Sequence, residues 1–253
     1  GVMIVLSPAA VEAYVRGGNR RMTYGLRVLA LDLVLMDGKD KPVKMRIVSA
    51  YAPSSQATMQ EKEDYEANLS HAIEDTAQDT VLIIGADVNA SCGRNTTMLH
   101  NISNTSTNDD DDDVISPVGP HGIDWRNKAG DELLTFLALR NMCLPMSFFE
   151  KKISRRATWY SPRSKRPFEL DHFMMRRQDL KRVMDAGTKR RHSVHSDHTA
   201  ICLKVRIARR LKKQKERNPA SFSRDRLQDK ETRTKFIRVA EQHLLDLDSR
   251  LLG

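Results

Sequence analysis

The stretch Val81, Leu82, Ile83, Ile84, Gly85, Ala86, Asp87, Val88, Asn89, Ala90 constrains this chain more than any other. Four consecutive apolar residues are too few for a buried helix of ordinary length. They are rich in β-branched side chains and are closed by glycine and polar residues, so they read as a strand buried on both faces. Asp87 and Asn89 emerge where that strand runs out. Two apart on an extended chain, they point to one side. A carboxylate and an amide aimed together can hold and polarise a water beside a phosphate or a metal. Taken alone, Asp-x-Asn also fits an Asx-rich turn after a core strand.

The rest of the chain supplies partners for such a strand. Residues 2–6 are a short apolar run that reads as a strand, and residues 9–15 fit a turn or a short helix. Residues 26–36 and 43–50 flank an Asp-Gly turn and read as a hairpin, with Val43, Met45 and Ile47 alternating against Lys44 and Arg46. Pro53 stops the second strand and leaves Tyr51 at its end. Residues 58–78 form a helix whose apolar face carries Tyr65, Leu69, Ala72 and Ile73. Residues 91–122 are loop by composition and include five consecutive aspartates, 109–113, which repel one another and stay solvated. A second helix covers 131–142. Residues 157–160 and 168–174 read as a strand pair around a basic turn, and 185–187 lead into the basic loop 189–192. A last strand runs from 200 to 207.

Beyond residue 207 the composition shifts to Lys and Arg, and Leu244, Leu245, Leu247, Leu251 and Leu252 suggest an amphipathic helix. The expected division is a globular domain, 1–207, and a basic linker with helical tail, 208–253. A net charge of +9 favours a polyanionic partner, nucleic acid before anionic membrane. The three cysteines have neither zinc spacing nor a disulfide framework, which suits a reducing compartment. No apolar run approaches transmembrane length, and the N-terminus lacks a signal peptide's basic start. An intracellular, non-secreted protein without membrane association follows as the expectation. The chain opens without an initiator Met, straight into a strand-like run, as if joined in the middle of a domain.

Strands alternating with few helices, with polar residues gathered at strand ends, suggest a layered sandwich with a mouth along one rim. Tyr51, Asp87, Asn89, Asp171, Asp197 and His198 belong at that rim. Asp171 interrupts an otherwise apolar alternation and needs a partner. His198 is the natural one, because an Asp–His hydrogen bond fixes the imidazole tautomer and raises its basicity.

Ser-Ala-Tyr-Ala-Pro (49–53), Gly-Ala-Asp-Val-Asn-Ala (85–90), Thr-Trp (158–159), Glu-Leu-Asp-His-Phe (169–173) and Ser-Asp-His-Thr-Ala (196–200), in that order, resemble the endonuclease/exonuclease/phosphatase superfamily. Gly119-Pro120-His121-Gly122, Asn127, a helix ending at Asn141 and the basic stretch after 207 resemble its LINE-type retrotransposon branch. The resemblance implies an α+β fold, a DNase-I-like four-layer sandwich of two packed sheets flanked by helices. It implies that Asp87 and Asn89 activate the attacking water. His198, oriented by Asp171, would donate to the scissile phosphate, and Tyr51 would lie near the phosphate or the leaving oxygen. Asp197 would sit at the metal edge, with Mg²⁺ or Mn²⁺ as the cofactor. Phe168 would touch substrate, with Arg163, Lys165 and Arg166 as further DNA contacts.

The same resemblance places two strands ahead of residues 1–4, the second ending in the principal metal-binding Glu. Neither is in this sequence, and Glu12 stands after the first strand and not before it. The expectation is therefore an N-terminally incomplete domain with impaired cleavage. The function expected is DNA nicking by a metal-dependent nuclease of a non-LTR retrotransposon. It would be a nuclear monomer with a reverse transcriptase domain downstream. The alternatives are a degenerate nucleic-acid-binding remnant and a phosphatase or phosphodiesterase acting on a small ester.

Overall fold

The computed structural model describes residues 1–94, 116–123, 125–189, 196–207, 229–235 and 237–239. The aspartate run 109–113, the basic residues 190–192 and the leucine-rich end all lie outside the described residues. Residues 1–209 form one compact unit and 210–253 another. No helix among the described residues is long and apolar enough to cross a membrane.

The first unit is built on a six-stranded sheet. Its strands are β1 (Arg21–Tyr24), β2 (Val28–Met36), β3 (Pro42–Tyr51), β4 (Val81–Asp87), β5 (Met142–Cys143) and β8 (Asp171–Arg176), in the order β1-β2-β3-β4-β8-β5. β2 and β3 are the antiparallel hairpin that the sequence foretells, closed by Asp37, whose carboxylate accepts from the Lys39 and Lys41 amides. β4 runs parallel to β3 and antiparallel to β8, so it is central. Its side chains divide by parity, as a pleated strand requires. Leu82, Ile84 and Ala86 enter one core with Leu69, Ala72, Leu134 and Leu137, while Val81 and Ile83 enter a second with Ala13, Leu33 and Met45. Val81 to Ile84 are all buried, which is why that run carries no polar alternation.

The first core is roofed by α2 (Met59–Glu74) and α3 (Lys128–Ala138). α2 begins on a capping box between Thr58 and Glu61, and α3 on Asn127, whose side chain accepts from Gly130. The Asn127 oxygen also accepts from the Ser91 amide, so one cap ties the segment after β4 to the helix. Gly130 makes that contact possible, since a Cβ there would stand 1.9 Å from the Ser91 carbonyl oxygen. The second core is closed by α1 (Pro8–Arg16) and by Leu203 and Val205 of β10 (Ala200–Val205), which pairs with β9 (Val183–Lys189). A third pair, β6 (Trp159–Tyr160) with β7 (Pro167–Phe168), carries the basic turn. The architecture is α+β, with a large sheet, smaller sheets and flanking helices.

Four local expectations need correction. Residues 2–6 join no ladder, and Met3 and Val5 are 76% and 79% exposed, because apolar alternation gives a strand only where an edge is present to accept it. The 168–174 strand is two strands, β7 and β8, parted at Glu169 and Leu170. Buried Glu169 turns aside to pair with Arg156 at 3.0 Å. Residues 185–187 are not a loop entrance but the middle of β9, where strand pairing overrides the turn-like composition of Asp185 and Gly187. The second helix starts earlier and ends sooner than 131–142, since its cap is Asn127 and Asn141 has a left-handed φ of 50°.

Candidate active site

Tyr51, Asp87 and Asp171 stand in one row across three strands. Tyr51 on β3 is the register partner of Asp87 on β4, and Asp87 is the partner of Asp171 on β8. Partners in adjacent strands present their side chains on the same face. All three are the terminal residues of their strands at one rim, so the sheet ladder itself collects them. Tyr51 is 40% exposed, and the Arg27 guanidinium lies 5.6 Å from its ring centroid.

His198 completes the row from the other sheet. It lies just ahead of β10, and its Nδ1 meets Asp171 Oδ2 at 2.7 Å. The Asp171 carboxylate accepts, so Nδ1 carries the proton and Nε2 is the nitrogen left outside this bond. Burial opposes charge on this ring, but the hydrogen bond and charge of Asp171 outweigh it, with help from Asp87 and Asp197. The His198 pKa therefore lies above the ordinary imidazole value. Burial, and after it the charge of Asp171, holds the Asp87 carboxyl above the usual carboxylate range, with the Asn89 amide bond opposing.

Among the described residues, Asp87, Asp171 and His198 each bring a ligand atom to within 4.8 Å of the others. Asp87 Oδ1 accepts from the Asn89 amide at 3.0 Å, and Asp171 Oδ2 is taken by His198. Asp87 Oδ2 and Asp171 Oδ1 are then the oxygens suited to an ion. Two partly buried carboxylates facing one another from adjacent strands are a donor set that suits a small divalent cation.

The remaining sequence-derived residues fall around this core. Asn89 does not continue the strand. Its φ is 48°, the chain turns there, and its Nδ2 donates to the Ala52 carbonyl at 3.0 Å. The extended-chain picture of Asp87 and Asn89 is thus wrong in geometry, and an Asx turn brings the two together instead. Asp197 is not in the metal-capable group; its Oδ2 accepts from the Trp159 indole at 2.9 Å. Phe168 packs edge-on to Trp125, with centroids 5.3 Å apart, and at a tilt to Trp159 at 5.6 Å. Arg163 and Lys165 are exposed on the β6–β7 turn, and Arg166 borders a cavity beside Phe168.

Several residues at the site were given no role from sequence. Thr158 is fully buried, and its Oγ1 accepts from the amides of both Leu170 and Asp171. Its carbonyl accepts from Thr199, so it binds the strand of Asp171 to the segment of His198. The Thr-Trp pair was visible as a motif, but nothing in its spacing told which groups it would hold. Arg27 and Trp125 carried no signal at all, since their meaning lies in contacts with Tyr51 and Phe168.

The residues of five separated motifs meet at one rim of a sheet-centred α+β domain. No family model matches the chain. A relative from Bos taurus, craniofacial development protein 2, is 25% identical over 167 residues, covering 66% of this chain and 25% of its own. The chain thus spans about a quarter of the length of the curated relatives it matches. Among solved structures, the endonuclease domain of TRAS1, a telomere-specific non-LTR retrotransposon, gives a TM-score of 0.46 at 12% identity, over 72% of this chain and 65% of that one. A 3′-5′ exonuclease from Neisseria meningitidis gives 0.46 at 14% identity, over 71% and 65%. The Asp171–His198 pair and Asp87 stand where the end of the six-stranded sheet meets the segment that leads into β10.

Proposed function

We propose that this chain carries the hydrolytic site of a metal-dependent DNA endonuclease. The observation that supports it most is the 2.7 Å Asp171–His198 hydrogen bond, with Asp87 opposite Asp171 in register. An imidazolium held by a carboxylate and a second carboxylate across a narrow gap divide the two tasks of phosphodiester hydrolysis. His198 donates from Nε2 to a phosphate oxygen and stabilises the charge that develops there. Asp171 fixes its tautomer and orientation. Asp87 accepts a proton from the attacking water. Asn89, whose Nδ2 is committed to Ala52, presents its amide oxygen to that water. Tyr51 faces the leaving oxygen, and the charge of Arg27 beside it favours an approaching phosphate. The phosphorus–O3′ bond breaks, the departing O3′ takes a proton from solvent and Asp87 returns its own to solvent, leaving a 3′-hydroxyl and a 5′-phosphate.

Mg²⁺ or Mn²⁺, held by Asp87 and Asp171, would neutralise charge on the phosphate oxygens. Asp197, bonded to Trp159, acts as a positioning residue for the loop that carries His198. Arg163, Lys165 and Arg166 on the exposed turn meet the DNA backbone, and Phe168 meets the substrate beside the scissile bond.

The polymer, as opposed to a small ester, is favoured by the net charge of +9 and by the basic turn beside the site. The retrotransposon setting, with a reverse transcriptase domain as partner and the nucleus as the place of action, rests on the Gly-Pro-His-Gly stretch and the basic residues after 207. We take the working form to be a monomer, because the whole row comes from one chain.

The test is conversion of supercoiled plasmid to nicked circle in Mg²⁺. His198→Ala and Asp87→Ala are each expected to lower the rate ~10²–10⁴-fold. Equal nicking by the unmodified protein and by His198→Ala would overturn the assignment.

A further inference from the structure

The row of site residues does not end at Tyr51. β2 lies beside β3 on the side away from β4. Val28 is the register partner of Ala50, and one step further along the Tyr51 amide donates to the Arg27 carbonyl at 3.0 Å. Arg27 thus stands opposite Tyr51, and residues opposite one another share a face of the sheet. The order along the rim is Asp171, Asp87, Tyr51, Arg27.

Arg27 is half-buried, with its guanidinium 5.6 Å from the Tyr51 ring centroid, and it makes no side-chain hydrogen bond or ion pair with any of the described residues. Two groups on α2 are near enough to interact with its charge, and neither takes it. Glu61 Oε2 is spent on the amide and hydroxyl of Thr58. The buried Tyr65 hydroxyl forms no hydrogen bond. A guanidinium offers five N–H donors in a planar fork that matches a phosphate. Set over an aromatic ring at the rim, with those donors unspent, it awaits an acceptor from outside the domain.

One phosphate does not serve both ends of the row. Neighbouring strands are about 4.8 Å apart, so the backbone of Arg27 stands two spacings, about 10 Å, from that of Asp87. A second phosphate of the same DNA strand is the acceptor that fits. Its direction follows from Tyr51. In the reading of the site as a DNA hydrolase, on which this inference rests, Tyr51 faces the departing O3′, and it stands between Asp87 and Arg27. The nucleotide that carries O3′ therefore extends toward β2. We propose that Arg27 binds the phosphate on the 5′ side of that nucleotide, so that the row fixes the direction in which the cleaved strand crosses the sheet.

The contact is tested by binding of a labelled duplex in EDTA, followed by fluorescence anisotropy over a range of KCl. Arg27→Ala is expected to make the slope of log Kd against log[KCl] shallower by about 0.9, the loss of one phosphate contact. Arg27→Lys keeps the charge and is expected to keep the slope. A slope unchanged in Arg27→Ala overturns the contact. The direction is read from nicking in Mg²⁺ of duplexes that carry one neutral methylphosphonate linkage. Cleavage at the linkage immediately 3′ to the neutral one is expected to fall about tenfold, and cleavage at the linkage immediately 5′ to it to stay unchanged. That comparison needs no protein variant. Arg27→Ala is expected to cut the unmodified duplex about tenfold more slowly and to lose the sensitivity to methylphosphonate. Suppression on the 5′ side, or on neither side, overturns the assigned direction. Suppression that persists in Arg27→Ala overturns the assignment to this residue. A protein that binds with the expected change of slope and nicks no duplex overturns the hydrolase reading, and the direction falls with it.

Discussion

The indole nitrogen of Trp159 donates to the Asp197 carboxylate at 2.9 Å, while the Trp159 backbone bridges to His198, the very next residue. One residue thus pins two neighbours and sets where the imidazole can stand. The bond also holds the Asp197 carboxyl below the usual carboxylate range. Trp159→Phe keeps a ring against Phe168 but removes the donor. Plasmid nicking by this variant is expected to drop on the order of tenfold in kcat with KM little changed, as loss of placement and not of binding. A raised KM at constant kcat would assign Trp159 to substrate contact instead.

Thr158 holds the start of β8. Its one hydroxyl oxygen accepts from two amides, and no water reaches it. Thr158→Val leaves both partly buried N–H groups without this acceptor, which should cost about 1–3 kcal/mol in urea unfolding. Thr158→Ser restores the acceptor and should recover most of that loss. If Val and Ser are equally destabilised, the methyl group and not the hydroxyl is what matters.

Two raised pKa values fix the pH response. The proposed mechanism needs Asp87 ionised and His198 protonated, and each group titrates above its ordinary value, about 3.9 for Asp and about 6.5 for His. The kcat/KM profile is expected to be bell-shaped, with both limbs displaced toward higher pH than those values. The folding linkage has the same sign for both groups. The contribution of His198 is fully present below about 6.5 and is lost as pH rises through its folded value. That of Asp87 is lost over a lower window, between the ordinary carboxylate value and its own raised one. Asp171→Asn removes the leading upward influence on His198, so the ring should titrate lower by proton NMR. An unchanged titration would separate Asp171 from the tuning of His198.

Arg156 and Glu169 form a buried ion pair beside the aromatic cavity. Arg156→Leu leaves a buried carboxylate without its cation, at an expected cost of about 3–5 kcal/mol. Adding Glu169→Gln to that variant removes the stranded charge and should restore a good part of the loss. A double variant no more stable than Arg156→Leu alone would show that the lost packing, and not the charge, sets the cost.

How much of this was legible in the sequence varied with the kind of signal. The β2–β3 hairpin was written in alternating Val43, Met45 and Ile47 and in the Asp37 turn. The both-faces burial of β4 was written in its unbroken apolar run. The pairing of Asp171 with His198 followed from a carboxylate set in an apolar alternation. By contrast, β9 was hidden by Asp185 and Gly187, whose local preference is for a turn. The ladder with β10 outweighs it, because six paired positions supply hydrogen bonds that no single residue's propensity can match.

The sequence by itself determined which strand would be central, which polar residues would end strands, and which imidazole a buried carboxylate would need. Those follow from side-chain periodicity and from the cost of leaving charge unpaired. Tertiary structure alone decided that Asp197 would turn to Trp159, that Asn89 would give its amide to Ala52, and that Glu169 would pair with Arg156. Each of these is a choice among partners far apart along the chain, made by strand register and by which buried donors and acceptors were left to satisfy.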